Sequence, residues 1–362
     1  MGSVGIEPRA HTRADRTDPA VGRLAVSVVV PVLDGEAFLR ESLESILAQT
    51  YVPAEVIVMD DGSTDSTPEI VASFGDALRY VRQPATRGIY GNANDGIALA
   101  SGDVIGVFHA DDVYLPEMLE REVDWLVRHP QAGAVFCSDV FVDAHGREAG
   151  RLELPPEIRG DRPLDYETVL NAVLTHSNTF LRCPTALIRA EIYRELGAYR
   201  DDLFKNSSDL DMWLRICRAY PIGVLEDHLL LYRRGHGSSS ERYHRVRTDP
   251  FRLFEIVDRE LDAGGREVAT EEALAAYEAH RSVDTVLRAV NHYILGDCAA
   301  ARALLREVTL RSLAASPRID RPRMLGLTIA MRAFVRLPRI GGLARLFERH
   351  WHGRPESGEE DD

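Results

Sequence analysis

Lysine is nearly missing from this sequence: Lys205 is the only one, and arginine carries the rest of the basic charge. We read that as a genome composition bias, not a binding device. A basic surplus is missing too. Acidic residues number 57 against 43 basic ones, for a formal charge of −14 at pH 7. Phosphate backbones need clustered positive charge, so a non-specific nucleic-acid binder is excluded. The four cysteines, Cys137, Cys183, Cys217 and Cys298, include no C-x-x-C pair, which removes zinc-ribbon and redox readings. No run approaches 18 apolar residues, so no membrane-spanning helix is expected. The opening residues lack the apolar stretch of a signal peptide. These absences set the expectation of a cytoplasmic protein with reduced thiols. Nucleotide loops are absent as well. There is no G-x-x-x-x-G-K-S/T, and no G-x-G-x-x-G follows the first apolar run, which argues against P-loop enzymes and dinucleotide dehydrogenases.

What is present suffices for a large core: 362 residues, 45 % of them apolar. Residues 1–23 are polar and read as a disordered leader. From residue 24, β-branched runs that suit strands buried on both faces alternate with helical patterns. LAVSVVVPV, AEVIVMD, LRYVRQ, DVIGVFHADD (103–112), AVFCSDVFVD and GVLEDHLLLYRR read as strands. Between them, stretches such as GEAFLRESLESILAQT space their apolar residues as a helix does. The alternation predicts an α/β fold with a doubly wound, mostly parallel sheet over residues 24–242. Residues 145–180, with Pro155, Pro156 and Pro163, read as loops and short helices.

From about residue 243 the pattern turns helical, giving a C-terminal α-helical extension over 243–350 and an acidic tail over 351–362. NHYILGDCAAARALLREV resembles one helix–turn–helix of a tetratricopeptide array, turning at Gly296-Asp297. A single copy would not stand alone, so these helices are expected to pack on the main domain. The apolar, Arg-rich segment 323–350 leaves two readings open: a peripheral seat on the inner face of the cytoplasmic membrane, or a core-packing helix interrupted at Pro338.

Ligands of doubly wound sheets sit beyond the carboxyl ends of the strands. Three predicted strands end in acids there: Asp34 and Glu36 after the first, Asp60-Asp61 with Asp65 after the second, and His109-Ala110-Asp111-Asp112 at the fourth. Like charges crowded on one rim need a cation or a donor-rich ligand to compensate them. An oxygen-ligated hard metal holding a diphosphate would do so.

These motifs carry a resemblance. VSVVVPVLDGEAFLRESLESILAQTY, EVIVMDDGSTDST, GIYGNANDGIALASGDVIGVFHADDVYLP, TALIRAEIYRELGAY, SDLDMWLRI and LYRRGHGSSS, in this order over residues 25–242, resemble the family 2 glycosyltransferases of GT-A fold. The resemblance implies a sugar transferred from a nucleoside-diphosphate donor, UDP-linked, to a saccharide or lipid-linked saccharide acceptor in cell-surface glycan synthesis. It implies that Pro31 and Val32 line the base pocket, with Asp34, Glu36, Asp60, Gly88 and Asn94 in the same nucleotide site. Asp61 would accept a hydrogen bond from the base, since a carboxylate only accepts. Asp112 would bind Mn²⁺ or Mg²⁺, with Asp111 on the ribose or a metal-bound water. Asp209 would be the base that takes the acceptor's proton, giving inversion. His236 would complete the metal shell, or else contact phosphate or solvent. Arg233 and Arg234 face the diphosphate or the surface.

Departures from the family pattern are His109 for an acid, Ser208 for Glu, Asp34 for Asn, and Ala93 for Arg. Asp60 has a second reading as the cap of the turn at Gly62, and Asp211 competes with Asp209 as the base. His176 and Asn178 fall on the acceptor side by chain position, with no chemistry to fix their roles. Trp125 and Trp213 read as core. Two rival functions stand: a nucleotidyltransferase of similar fold, which would need a basic loop after the first strand, and a non-catalytic sugar-nucleotide or partner-binding module.

Overall fold

The structure is a computed structural model that describes residues 23–235, 247–309 and 321–335. Nine strands are seen among these residues: β1 (Val26–Val32), β2 (Glu55–Asp60), β3 (Arg79–Arg82), β4 (Val104–Val107), β5 (Val113–Tyr114), β6 (Ala134–Val142), β7 (Glu148–Arg151), β8 (Leu187–Arg189) and β9 (Ile222–Arg233). They form one sheet in the order β3-β2-β1-β4-β8-β6-β9-β5, with β7 on β6. The pairs β1–β2, β1–β4, β2–β3 and β6–β9 are parallel, while β8, β5 and β7 run against their neighbours.

The helices are α1 (Leu39–Leu47), α2 (Thr67–Ala72), α3 (Ile89–Leu99), α4 (Met118–Arg128), α5 (Tyr166–His176), α6 (Ala190–Leu196), α7 (Asp201–Phe204), α8 (Ser208–Ala219), α9 (Arg252–Asp262), α10 (Glu271–Ile294), α11 (Cys298–Glu307) and α12 (Arg321–Phe334). Side chains alternate across a strand, so β1 sends Val29 to one core and Val28 and Val30 to the other. Helices α3, α5 and α8 cover the first face, and α1 and α4 the second. Both faces of the central strands are therefore dry, as their unbroken apolar runs require.

Close packing of α3 on the sheet depends on Gly96. A Cβ there would lie 2.4 Å from Val29 Cγ1 and 2.8 Å from Met59 Cγ. Gly96→Ala should therefore cost about 1–3 kcal/mol through overpacking, read as a lower denaturant midpoint at unchanged slope.

Two sequence expectations change, and one open alternative is narrowed. The strand predicted over 103–112 ends at Val107; the Phe108 N–H still donates to the Val29 carbonyl at 2.8 Å, and its ring stacks on Tyr114 with centroids 4.1 Å apart. The stretch 145–180, read as loops and short helices, holds β7 and the three-turn helix α5, whose N-cap Asp165 accepts from Thr168 N at 2.9 Å. Of segment 323–350, the described part belongs to α12. Its Met324, Met331 and Val335 pack with Val286, Val290 and Leu305 in a third cluster, which is the core-packing reading; residues 336–350 lie outside the described residues. Among the described residues, no helix is long and apolar enough to cross a membrane.

Helix α9 and the first half of α10 share the core of the sheet through Leu253, Val257 and Tyr277. The turn into α11 has Gly296 at φ 92° and Asp297 capping Ala300 N at 2.9 Å.

Candidate active site

Strand ends β1, β2 and β4 open on one edge of the sheet, and the loops after them are tied together. The Asp34 N–H donates to Ser63 Oγ at 2.9 Å, and its carboxylate accepts from Thr64 N at 2.7 Å. The Glu36 carboxylate accepts from Ser66 N and Oγ at 3.2 and 2.9 Å, while its N–H donates to Asp65 at 2.8 Å. Asp34 and Glu36, expected in the nucleotide site, thus hold two loops together.

Asp60 is fully buried and caps its own turn, accepting from Gly62 N at 3.1 Å, Ser63 N at 2.7 Å and the Tyr80 hydroxyl. Burial works to raise its pKa, but the Ser63 and Tyr80 hydrogen bonds and Arg82 override it and leave the group below its ordinary value. This is the geometry of the capping alternative. Asn94 is engaged likewise. Its side chain pairs with the backbone of Tyr199, donating to the carbonyl at 2.8 Å and accepting from the N–H at 3.0 Å. It fastens α3 to the segment before α8.

Pro31 and Val32 are buried at the end of β1. Next to them, Asp61 accepts from Arg87 N at 2.6 Å and Gly88 N at 3.0 Å, one bond to each carboxylate oxygen. Gly88 sits at φ 78°, a conformation that costs a glycine nothing. Burial raises the Asp61 pKa against these two bonds. A carboxylate has about four lone-pair sites, so it keeps room for a base N–H.

The turn after β4 brings His109, Asp111 and Asp112 together, with one ligand atom of each within 4.8 Å of the others. Asp112 is 1 % exposed. Its Oδ1 accepts from Arg233 N at 2.8 Å, and its Oδ2 is buried without a hydrogen bond, 3.7 Å from His109 Nδ1. His109 Nε2 is also buried without a partner. Burial lowers the His109 pKa, which favours the neutral imidazole, and burial together with Asp111 pushes Asp112 well up. Two orphaned ligand atoms, a neutral imidazole and two carboxyls fit a divalent cation.

Arg233 braces this turn. It is buried, its Nε donates to the Asp111 carbonyl at 2.9 Å, and its guanidinium pairs with Glu41 at 2.7 Å over the Phe38 ring. His236 lies outside the described residues.

Beside His109 opens a cavity of about 290 Å³. Asp209, in the first turn of α8, lines it. Burial raises Asp209 to about 6, against hydrogen bonds from Leu210 N and Tyr90 and the charge of Arg182. Asp211 is engaged elsewhere, bound by Arg215 at 2.8 Å and Arg200 at 3.4 Å. His176 pairs with Glu157 at 2.8 Å, whereas Asn178 and Arg234 line the cavity. Trp125 and Trp213 are core.

Among the wall residues that sequence reasoning missed are Tyr90, Arg182, Cys183 and Tyr232. Arg182 is ion-paired with the fully buried Asp139 of β6 and lies over Tyr232, 4.6 Å from the ring centroid. One signal was visible, because an acid inside the apolar strand AVFCSDVFV calls for a buried partner.

Comparison with known proteins points to one family. Residues 27–197 match the model of Glycosyl transferase family 2. That stretch, a little under half of the chain, is similar to the family's glycosyltransferases. The chain is 28 % identical over 221 residues to an uncharacterized glycosyltransferase of Rickettsia felis, covering 60 % of this chain and 35 % of that one. The chain thus spans about a third of that relative's length. It is also 28 % identical over 322 residues to an uncharacterized protein of Mycobacterium tuberculosis H37Rv, covering 85 % and 83 %. Among solved structures, S. aureus TarS 1-349 in complex with UDP-GlcNAc superposes with a TM-score of 0.56 at 18 % identity, over 92 % of this chain and 93 % of that one. At that identity the likeness speaks for the fold, and it covers the C-terminal helices as well.

Proposed function

We propose that this glycosyltransferase is metal-dependent and inverting, and moves a sugar from a UDP-linked donor to a hydroxyl of a saccharide or lipid-linked saccharide acceptor of the cell surface. One observation carries the reading. Asp209 is the acid that lines the cavity with its pKa raised to about 6, and His109 of the acidic turn lies on the same wall. A base with that pKa is ionised at neutral pH and still basic enough to accept a proton.

Asp61 and the end of β1 hold the nucleoside. His109, Asp111 and Asp112 would hold a divalent cation, Mn²⁺ or Mg²⁺, which would supply positive charge to offset that of the departing diphosphate. Asp209 takes the proton of the acceptor hydroxyl as that oxygen bonds to the anomeric carbon. The bond from that carbon to the diphosphate breaks on the opposite face, and the configuration inverts. The UDP donor agrees with the ligand in the TarS structure of like fold and with an acceptor-only Asp61 reading a base N–H.

Calorimetric titration with UDP, GDP and dTDP, with and without Mn²⁺, tests the proposal. UDP should bind, and more tightly with the metal. Binding of GDP or dTDP in its place overturns the donor, and equal affinity without metal overturns the cation's role.

A further inference from the structure

Arg182 reaches the Asp209 cavity from the turn before β8 and lines it together with His109, Asp209 and Tyr232. Its backbone is fixed. The Arg182 carbonyl accepts from Thr185 N at 3.1 Å and Thr185 Oγ1 at 3.0 Å, and its neighbours Leu181 and Cys183 are buried. Its side chain is fixed as well. Nε lies buried in an ion pair with Asp139 of β6, which is itself fully buried. The guanidinium carbon stands 4.6 Å from the Tyr232 ring centroid and 5.2 Å from that of Phe141. With Nε committed to Asp139, the two terminal nitrogens are the donors left for the cavity. A fork held by a buried anion and two rings loses little freedom when it takes a ligand. A buried ion pair adds little stability over apolar residues of like volume, so its place on the cavity wall points to a ligand.

We propose that Arg182 is a further catalytic residue, whose terminal N–H groups take the β-phosphate of the nucleoside-diphosphate donor. This rests on the donor reading above. His109, of the turn that would hold the cation, lines the same cavity as Asp209. The diphosphate and the acceptor hydroxyl therefore meet in this cavity with the anomeric carbon between them, and Arg182 stands on its wall. As the bond from that carbon to the β-phosphate oxygen breaks, its electron pair moves onto the oxygen. A guanidinium already in place stabilises this growing charge without reorganising. Asp139 sets Arg182 in position and touches no substrate.

Calorimetric titration of the full chain with UDP and UMP, each with and without Mn²⁺, tests this. Removing Arg182 alone would strand Asp139 in the interior, so the variant is the double exchange of Arg182→Met with Asp139→Leu, which replaces both partners by apolar residues. It should bind UDP about tenfold more weakly than the wild type, with or without Mn²⁺. UMP affinity should stay within about twofold and report a folded nucleoside site. Arg182→Lys keeps a charge for Asp139 but not the planar fork, and its UDP affinity should fall between the two. Equal UDP affinity in the wild type and the double variant overturns the proposal. An equal loss of UMP overturns it too, because Arg182 would then serve the nucleoside site or the fold. A loss seen with UDP-glucuronate but not with UDP puts the anion on the sugar and overturns the β-phosphate assignment. A wild type that binds neither UDP nor UMP overturns the donor reading and this inference with it, so the two failures are told apart.

Discussion

Asp209→Asn should lower kcat by about 10²–10⁴ while donor affinity stays at the wild-type value. That range is what a positioned general base contributes. The exchange is nearly isosteric, and Asp61 is not among the residues that line the Asp209 cavity, so the nucleoside site is undisturbed. In the wild type, kcat should rise with pH through about 6, as Asp209 loses its proton. The same pKa has a consequence for stability. The folded state holds the Asp209 proton more tightly than the unfolded chain does, so between the ordinary Asp value and about 6 the folded state binds more protons. By linkage, this group's contribution to stability falls as pH rises through that window, and the cost persists above it. Asparagine has no charge to bury. Asp209→Asn should therefore melt higher than the wild type at pH 7.5, and the difference should vanish near pH 4. A variant that loses activity and melts lower at pH 7.5 would show that Asp209 supports the fold.

Much of the architecture was legible because the central strands are buried on both faces. A run such as VSVVVPV has no exposed side to interrupt it, and the sequence shows it as one block. Edges were less legible. β7 reads EAGR, has no apolar alternation and lies exposed against β6, so only its pairing makes it a strand. β5 is two residues long. Phe108 continues the apolar run of β4 but is buried on Tyr114 beyond the strand's end, and hydrophobicity alone cannot tell those two burials apart.

The site divides in the same manner. Motif order located the acidic turn and the first turn of α8. It could not separate a carboxylate that faces a ligand from one that faces its own backbone. Asp60, Asp34 and Glu36 are polar residues in a loop cluster, and their partners are backbone and hydroxyl groups that any sequence of that composition supplies. Asn94 finds its partner 105 residues away, beyond the reach of local pattern. The distinction between Asp209 and Asp211 is also tertiary. Both occupy the first turn of α8, yet Arg215 and Arg200 claim only Asp211.

His109 leads to the second large effect. Where the family resemblance leads one to expect an acid, this chain offers an imidazole, and burial keeps it neutral. Nitrogen donors suit Mn²⁺ better than Mg²⁺, so transfer should be faster with Mn²⁺, and His109→Asp should shift the preference toward Mg²⁺. Removing a carboxylate costs more than changing a neighbour. Asp112→Ala should weaken Mn²⁺ binding by more than the roughly 10–100-fold typical of an outer-shell partner, because it deletes the buried oxygen that has no other partner. It also releases the Arg233 N–H that the same carboxylate accepts at 2.8 Å. Electron paramagnetic resonance of the Mn²⁺-loaded protein reads this without turnover. The bound-metal spectrum should carry imidazole nitrogen coupling that is lost in His109→Asn. Coupling that survives that exchange but disappears in His236→Asn would assign the nitrogen to the later loop. His109 would then serve the site by filling space beside Asp112, and the selectivity for Mn²⁺ would have to follow His236.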